Sequence, residues 1–515
     1  MARTTSRTNA RRRRIEQDKP AATARRTYHQ LRHPFGPQAL WSDDRVEAVH
    51  QTSLRVLEEL GIKVLLPEAR QIFAKAGARI CEDTEFVWIG KDMVEEALRT
   101  APKSIRMRAK NPNREQTYEL GSMLFECGAG CPNSFDEVRG RISGSRETWR
   151  DSLKLQQHFD CMHLIGPSVE PQDVPINVRH LAFTEDQLLL TDKPTFIFSR
   201  SQGQVEDAFE MIRLANGLDE ASWQDGVWAT TIINTNSPRQ IDRPMGQGII
   251  DFARANQMSI ITPFCLNGAM APVTVAGALT LQHAESLAGI TLAQMTNPGA
   301  PVSYGNFSSN VDLKSGAPAF GTPEHLAGNI ASGQLARRIG LPWRSASGSA
   351  SNTGDGQGVG ENAMALWACA VAQATITVHS AGWLEGGLSF GFEKFIQDME
   401  NVQILADMAV NPAPVDDDAI GFDAIAQVEP GGHFFATDQT MKSFETAHYK
   451  PLIQNVTNYE NWRDAGSPTS HERAVQKWQD IVNNAPQLPH AGDVAANLAP
   501  FIERRTAEGG SFPMD

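Results

Sequence analysis

Residues 259–309 read SIITPFCLNGAMAPVTVAGALTLQHAESLAGITLAQMTNPGAPVSYGNFSS. An apolar run from Ser259 ends in Asn267 and Gly268, helical periodicity holds from Val273 to Met295, and a second apolar run opens at Pro301. Strand, crossover helix and parallel strand need about that length of chain. The same rhythm extends in both directions. Apolar runs ending in Gly, Ser, Asn or Pro begin at Met123 (MLFECGAG), Met162 (MHLIGPSV), Thr195 (TFIFSR), Gly226 (GVWATTIINT), Ser259, Pro301, Pro342 (PWRSASGSAS) and Ala374 (ATITVHSAG). Their starts are 39, 33, 31, 33, 42, 41 and 32 residues apart, and each gap holds a helical pattern.

Eight such units, with a last helix over Phe392 to Ala409, predict an α/β fold, a closed (β/α)8 TIM barrel spanning residues 122–410. An open doubly wound sheet would carry a Gly-x-Gly-x-x-Gly turn after its first strand, which Gly128-Ala-Gly-Cys-Pro does not supply. Before the barrel, residues 41–121 read as an N-terminal helical extension. Ser42 starts a helix that Gly61 stops, Pro67–Ala76 and Asp92–Thr100 are two more, and a hairpin turns at Asn111-Pro112-Asn113. Residues 411–515 form a C-terminal extension, Pro-rich and then helical, packed on the barrel.

Composition agrees with a large folded body: 515 residues, 41% hydrophobic, 21% charged and 7% aromatic. The net charge of -13 is unevenly spread, because residues 1–32 carry ten Lys/Arg against Glu16 and Asp18. Residues 1–40 read as a basic disordered tail, and the acidic remainder argues against nucleic acid as the main partner. No apolar segment follows the basic residues as a secretory signal requires. The charge-free stretches 255–284 and 362–384 are broken by Pro263, Pro272 and a β-branched run, so they read as core rather than as membrane spans. Six scattered cysteines fit a reducing, cytoplasmic setting.

In such a barrel, chemistry sits where the strands end. The loops there are rich in small and amide residues interleaved with rings, including Phe135, Phe198, Tyr304, Phe307, Phe320, Trp343, Trp383 and Phe390. Carboxylates are few, chiefly Asp136, Glu170, Asp312, Asp355 and Glu385. Rings with one or two acids suit a soft, poorly hydrated cation. Cys127-x3-Cys131 with a histidine is a weak zinc candidate, lacking the paired spacing of a structural site, so no metal ligand is assigned.

The stretch CLNGAMAPVTVAGALTLQHAESLAGITLAQMTNPGAPVSYGNFSS (265–309), with FGTPEHLAGNIASGQLARRIGLP (320–342) and GWLEGGLSFGFEKFIQDMENVQIL (382–405), resembles the trimethylamine methyltransferase family. The likeness covers most of the chain from about residue 40 and runs more loosely through EPGGHFFATDQTMKSFETAHYKPLI (429–453). The resemblance implies a (β/α)8 barrel that moves a methyl group from a methylated amine to the cobalt of a separate corrinoid protein. No cofactor is then bound tightly; the cobalamin belongs to the partner. Trimethylamine enzymes carry pyrrolysine in a segment similar to Asp355-Gly356-Gln357-Gly358, and this chain has none. Asp438-Gln439-Thr440 also stands where a histidine is expected before the threonine.

The missing pyrrolysine turns the expectation toward a quaternary amine, glycine betaine or a related betaine, and the second departure also points to a different substrate from trimethylamine. From that picture Tyr304, Phe307, Trp343 and Trp383 are expected as cage walls, and Asp355 or Glu385 as counter-charge. His379, Arg344, Gln357 or Asn352 would hold a substrate carboxylate. Glycines around Asp355 would let that loop move to admit the corrinoid domain. Association into a homo-oligomer through the outer helices is compatible with a barrel of this length. Two alternatives remain: a quaternary-amine binding protein without transferase activity, and a zinc-dependent barrel methyltransferase or hydrolase using Cys127 and Cys131.

Overall fold

Seven short strands make one parallel sheet: β1 (Leu124–Phe125), β2 (Thr195–Phe196), β3 (Ala229–Ile233), β4 (Met258–Ile261), β5 (Val302–Gly305), β6 (Trp343–Ala346) and β7 (Ile376–Val378), in the order β1-β7-β6-β5-β4-β3-β2. This is a computed structural model, and it describes residues 28, 30–128, 130–410 and 413–514. Most of the basic tail expected over residues 1–40 lies outside them. The seven strands coincide with seven of the eight predicted runs.

The eighth run, from Met162, forms no regular strand, yet it stands between the sheet's two edges. Leu164 bridges Glu126 in parallel, the His163 N–H donates to Phe125 O at 2.9 Å, and the Ile165 N–H donates to Pro194 O at 3.4 Å.

A helix follows each of these segments: α1 (Arg146–His158), α2 (Arg179–Leu190), α3 (Gln202–Asn216), α4 (Arg243–Arg254), α5 (Val275–Thr296), α6 (Pro323–Ile339), α7 (Gly356–Val371) and α8 (Phe392–Val410). Strands covered on both faces need apolar or small residues throughout, and β4 to β7 are buried at every position. The helices are set by local chemistry: the Thr274 and Thr322 hydroxyls cap α5 and α6, Pro323 opens α6, and Gly340 in left-handed geometry closes it. Helix α5 is buried on nearly every side because the helices Asp43–Arg55 and Lys91–Thr100 of the N-terminal extension cover it. That accounts for residues 275–284, the last third of the charge-free stretch 255–284. No helix among the described residues is long and apolar enough to cross a membrane.

The two ends of the sheet differ. At the N-terminal end the predicted hairpin is present, Ser104–Met107 pairing with Gln116–Glu119. Its Ile105, Met107 and Tyr118 pack on Leu124, Leu164, Met258, Ile260, Ile376 and Val378. At the C-terminal end the loops after β1, β4, β5 and β7 form two further small sheets. Phe264–Asn267 pairs with Phe307–Val311, and Trp383–Leu384 and Ser389–Gly391 join Asn133–Asp136 and Gly140–Ser143.

Beyond α8 the chain runs through short, largely exposed helices. It is tied down where the Glu400 carboxylate accepts from Tyr449 OH and from the backbone N–H groups of Leu452, Ile453 and Gln454 at 2.6–3.1 Å. Helices Ser470–Asn483 and Ala491–Ala507 then return to pack on α8 and α1, and on α2 and α3.

Candidate functional site

Side chains alternate along a strand, so parity decides which reach the inner face of the sheet, away from the helices. On β6, Trp343 and Ser345 face the helices: the indole N–H donates to Gln373 O at 2.9 Å and the Ser345 hydroxyl to Asn329 Oδ1 at 3.0 Å. Arg344, between them, faces inward. On β5, Tyr304 likewise faces the helices, bonded to His283 and Gln282 of α5, while Ser303 faces inward against the Tyr118 hydroxyl at 2.7 Å. Glu126 lies two residues beyond Leu124, whose side chain is part of the inner apolar floor, and so takes the same face one layer higher.

Arg344 is wholly buried. Its Nη1 donates to Thr262 Oγ1 at 3.0 Å and to Asn306 O at 2.8 Å, and its Nη2 donates to His379 Nε2 at 2.9 Å. A guanidinium always donates, so His379 Nε2 accepts and the imidazole proton resides on Nδ1. Burial and the neighbouring guanidinium hold His379 far below the ordinary imidazole range, which keeps it neutral. Its backbone has φ +60°, an uncommon geometry for a residue with a side chain, and this turns the ring across the end of β7. Burial lowers Arg344 itself to about 10.

Above this pair lies a group of rings. Trp383 packs on His379 with centroids 3.7 Å apart, Phe307 lies 4.9 Å from His379 and 6.1 Å from Trp383, and Phe320 and Phe264 flank Phe307 at 5.9 and 4.6 Å. The Arg344 guanidinium sits 4.7 Å from the Phe307 centroid. Missing β-carbons make room for the indole: a Cβ at Gly387 would fall 2.4 Å from the Trp383 ring, one at Gly348 2.9 Å, and one at Gly128 3.2 Å.

Several buried polar atoms here have no partner within the protein. They are both Glu126 carboxylate oxygens, Arg344 Nε, His379 Nδ1, Trp383 Nε1, Asn306 Oδ1 and Ser308 Oγ. Each such group costs about 1–3 kcal/mol when left unsatisfied, so a concentration of them marks a place built to receive something. Burial pushes Glu126 up to about 8, with the Arg344 charge opposing.

A family model described as trimethylamine methyltransferase (MTTB) matches residues 6–510. The glycine betaine methyltransferase of Desulfitobacterium hafniense (strain Y51) is 32% identical over 473 residues, covering 91% of this chain and 97% of that protein. The chain belongs to the trimethylamine methyltransferase family. It is a methyltransferase of that family. The trimethylamine methyltransferase of D. hafniense (strain DSM 10664 / DCB-2) is 28% identical over 477 residues, covering 91% of this chain and 94% of that protein. Among solved structures, the Methanosarcina barkeri monomethylamine methyltransferase superposes with a TM-score of 0.45 at 10% identity, covering 86% of this chain and 93% of that one.

Of the residues expected to bind or react, the fold brings together Phe307, Trp383, His379 and Arg344. It sends Tyr304 and Trp343 to the helix-facing side, by the strand parity above. Asp355 is exposed and caps α7, its carboxylate accepting from Gln357 N and Gly358 N, so its charge serves the helix terminus. Asn352 is exposed on the loop before α7 and Gln357 on the first turn of α7, the Gln357 amide donating to Glu361 at 2.7 Å. Glu385 pairs with Arg141 at 2.9 and 3.0 Å and accepts from the Ser389 hydroxyl at 2.7 Å, so its charge is offset within the small sheet formed after β1 and β7.

Cys127 and Cys131 are buried, with the Cys127 thiol donating to Ala381 O, and burial pushes both thiols up. No trio of His, Cys, Asp or Glu among the described residues converges as a metal site. Glu126 was not among the expected site residues, although it is the one carboxylate in the run MLFECGAG. A second feature absent from that set is the buried pair Lys394 and Asp398 on α8. Their Nζ–Oδ2 distance is 2.5 Å, and Asp398 Oδ2 also accepts from Gly382 N at 2.9 Å, fixing the backbone next to Trp383.

Proposed function

We propose that this methyltransferase takes a methyl group from a small quaternary amine of the betaine type and passes it to the cobalt of a partner corrinoid protein. The observation that carries the reading is the joining of aromatic rings and charge in one dry place. Phe307 and Trp383 offer rings to a cation, while Arg344 and His379 stand directly beneath them. The D. hafniense relative bearing a glycine betaine name, matched along nearly its whole length, supports the same substrate class.

The fold is read as a (β/α)8 barrel, with the His163–Ile165 segment closing the sheet between β1 and β2. A low-valent corrinoid supplies the nucleophile. The carbon–nitrogen bond breaks with its electron pair going to nitrogen, and a neutral tertiary amine departs, so no proton has to be delivered. What this chain provides is position and dryness. Phe307 and Trp383 hold the trimethylammonium head, Arg344 and the His379 Nδ1–H hold the carboxylate, and the rigid setting leaves one methyl facing the mouth. Tyr304 and Trp343 contribute indirectly by anchoring β5 and β6 to the helices.

The purified protein, mixed with glycine betaine and chemically reduced cobalamin, is expected to give the absorbance change of methylcobalt formation. Trimethylamine is expected to give none. Turnover with trimethylamine and none with any quaternary amine refutes the assignment.

A further inference from the structure

The carboxylate of Glu126 lies in the interior with 0% exposure and no hydrogen bond to either oxygen. Its backbone is held on both sides. Its backbone N–H donates to Thr377 O at 3.0 Å, its carbonyl accepts from Ser380 N at 3.1 Å and from Ser380 Oγ at 2.5 Å, and the residue bridges Leu164 on the other side. The nearest opposite charge is Arg344, whose field acts on it, yet the two share no hydrogen bond. A buried acid and base that belonged only to each other would make the bidentate contact that offsets desolvation. Here Arg344 spends Nη1 and Nη2 on Thr262, Asn306 and His379, and its free Nε and both Glu126 oxygens are left for a third group.

We propose that Glu126 is the counter-charge for the cationic head of the ligand and Arg344 the seat of its anionic end, so that the interior selects small zwitterions over simple cations. The assignment rests on the functional reading above and adds to it the residue that senses the positive charge. Rings alone attract a cation only through their quadrupole. A carboxylate in the same dry space adds a full charge, which water cannot screen there.

The arrangement has a proton balance. Without ligand, the interior already holds the Arg344 charge while burial keeps the Glu126 proton in place. When a permanent cation enters, Glu126 ionises and its proton goes to solvent, leaving two positive and two negative charges if the ligand carries a carboxylate. The other groups whose charge bears on Glu126 do not change state between pH 5 and 9. Burial raises the Tyr118 phenol and the Cys127 thiol, Arg344 stays protonated, and His379, reached through Arg344, stays neutral.

The test is titration calorimetry of the full-length wild type, Glu126→Gln and Glu126→Asp, in two buffers of different ionisation enthalpy. The probes are glycine betaine, choline and 3,3-dimethylbutanoate, the last a carbon copy of betaine without the positive charge. Wild type is expected to release about one proton per betaine at pH 7, with affinity rising tenfold per pH unit up to about pH 8. Choline is expected to bind at least tenfold more weakly than betaine. Glu126→Gln is expected to lose proton release and at least tenfold in betaine affinity, to change less than threefold for 3,3-dimethylbutanoate, and to be partly rescued by Glu126→Asp.

Betaine binding without proton release and with unchanged affinity in Glu126→Gln overturns the assignment and leaves the functional reading standing. Equal losses for betaine and 3,3-dimethylbutanoate also overturn it, as a packing effect. Failure of wild type to bind either betaine or choline refutes the functional reading and this inference together.

Discussion

Replacing Lys394 by Met tests how the backbone beside Trp383 is held. Lys394 is 1% exposed and Asp398 0% exposed, one turn apart on α8, and the ammonium contacts both carboxylate oxygens. Removing one partner leaves a bare carboxylate in a dry interior, a loss of about 3–5 kcal/mol. Asp398→Asn leaves a bare ammonium and is expected to cost a similar amount. The double variant Lys394→Met/Asp398→Asn removes both charges and keeps an acceptor for Gly382 N, so it is expected to lie within about 2 kcal/mol of wild type.

The pH dependence has a definite sign. In Lys394→Met the Asp398 pKa rises further above its unfolded value, because burial already pushes it up and its cation is gone. The folded state then takes up the proton more readily than the unfolded chain, so the deficit is largest above neutrality and shrinks toward pH 5. Denaturant unfolding followed by far-ultraviolet circular dichroism at pH 5 and pH 8 measures all of this. Losses that simply add in the double variant, or a deficit that grows on acidification, would refute the ion-pair account.

Other outcomes follow from the same geometry. Trp383→Phe keeps a π-face and is expected to weaken betaine binding by less than tenfold. Trp383→Ala is expected to weaken it by a further factor of about 2–30 and to cost about 3–5 kcal/mol of stability, read by calorimetry and denaturant titration. Burial holds His325 down to about 4, so its unfolded form takes up a proton as pH falls below 6.5 while the folded form does not. Its contribution of about 3 kcal/mol is therefore present above pH 6.5 and lost by pH 4, and a His325→Gln variant is expected to show a flatter acid limb in unfolding titrations. Glu400→Ala removes four hydrogen bonds that fasten the C-terminal extension, and limited proteolysis is expected to cut within residues 413–454 many times faster than in wild type.

Strand positions were legible because buried parallel strands are short apolar runs at crossover spacing, and seven of the eight runs contain sheet strands. The Met162 run was legible in place but not in form: Gly166 and Pro167 follow Leu164 so soon that only an isolated bridge is made. Side-chain direction was not legible. Whether Trp343 or Arg344 faces inward depends on the register against β5 and β7, which no single strand encodes, and the aromatic residue was the wrong guide at both Tyr304 and Trp343. Glu126 escaped notice for a different reason. Barrel chemistry is expected in the loops after the strands, whereas this acid sits at the end of β1 itself, buried only by segments distant in sequence.

The hairpin Ser104–Glu119 covers the N-terminal end of the sheet, where Ile105, Met107 and Tyr118 pack with at most 4% exposure. A ligand seated between that floor and a docked corrinoid protein would impose a queue. For the proposed reaction the amine must enter before the corrinoid protein docks, and the demethylated product cannot leave until that visitor withdraws. Steady-state kinetics would then show compulsory order, with saturating partner acting as an inhibitor against scarce amine.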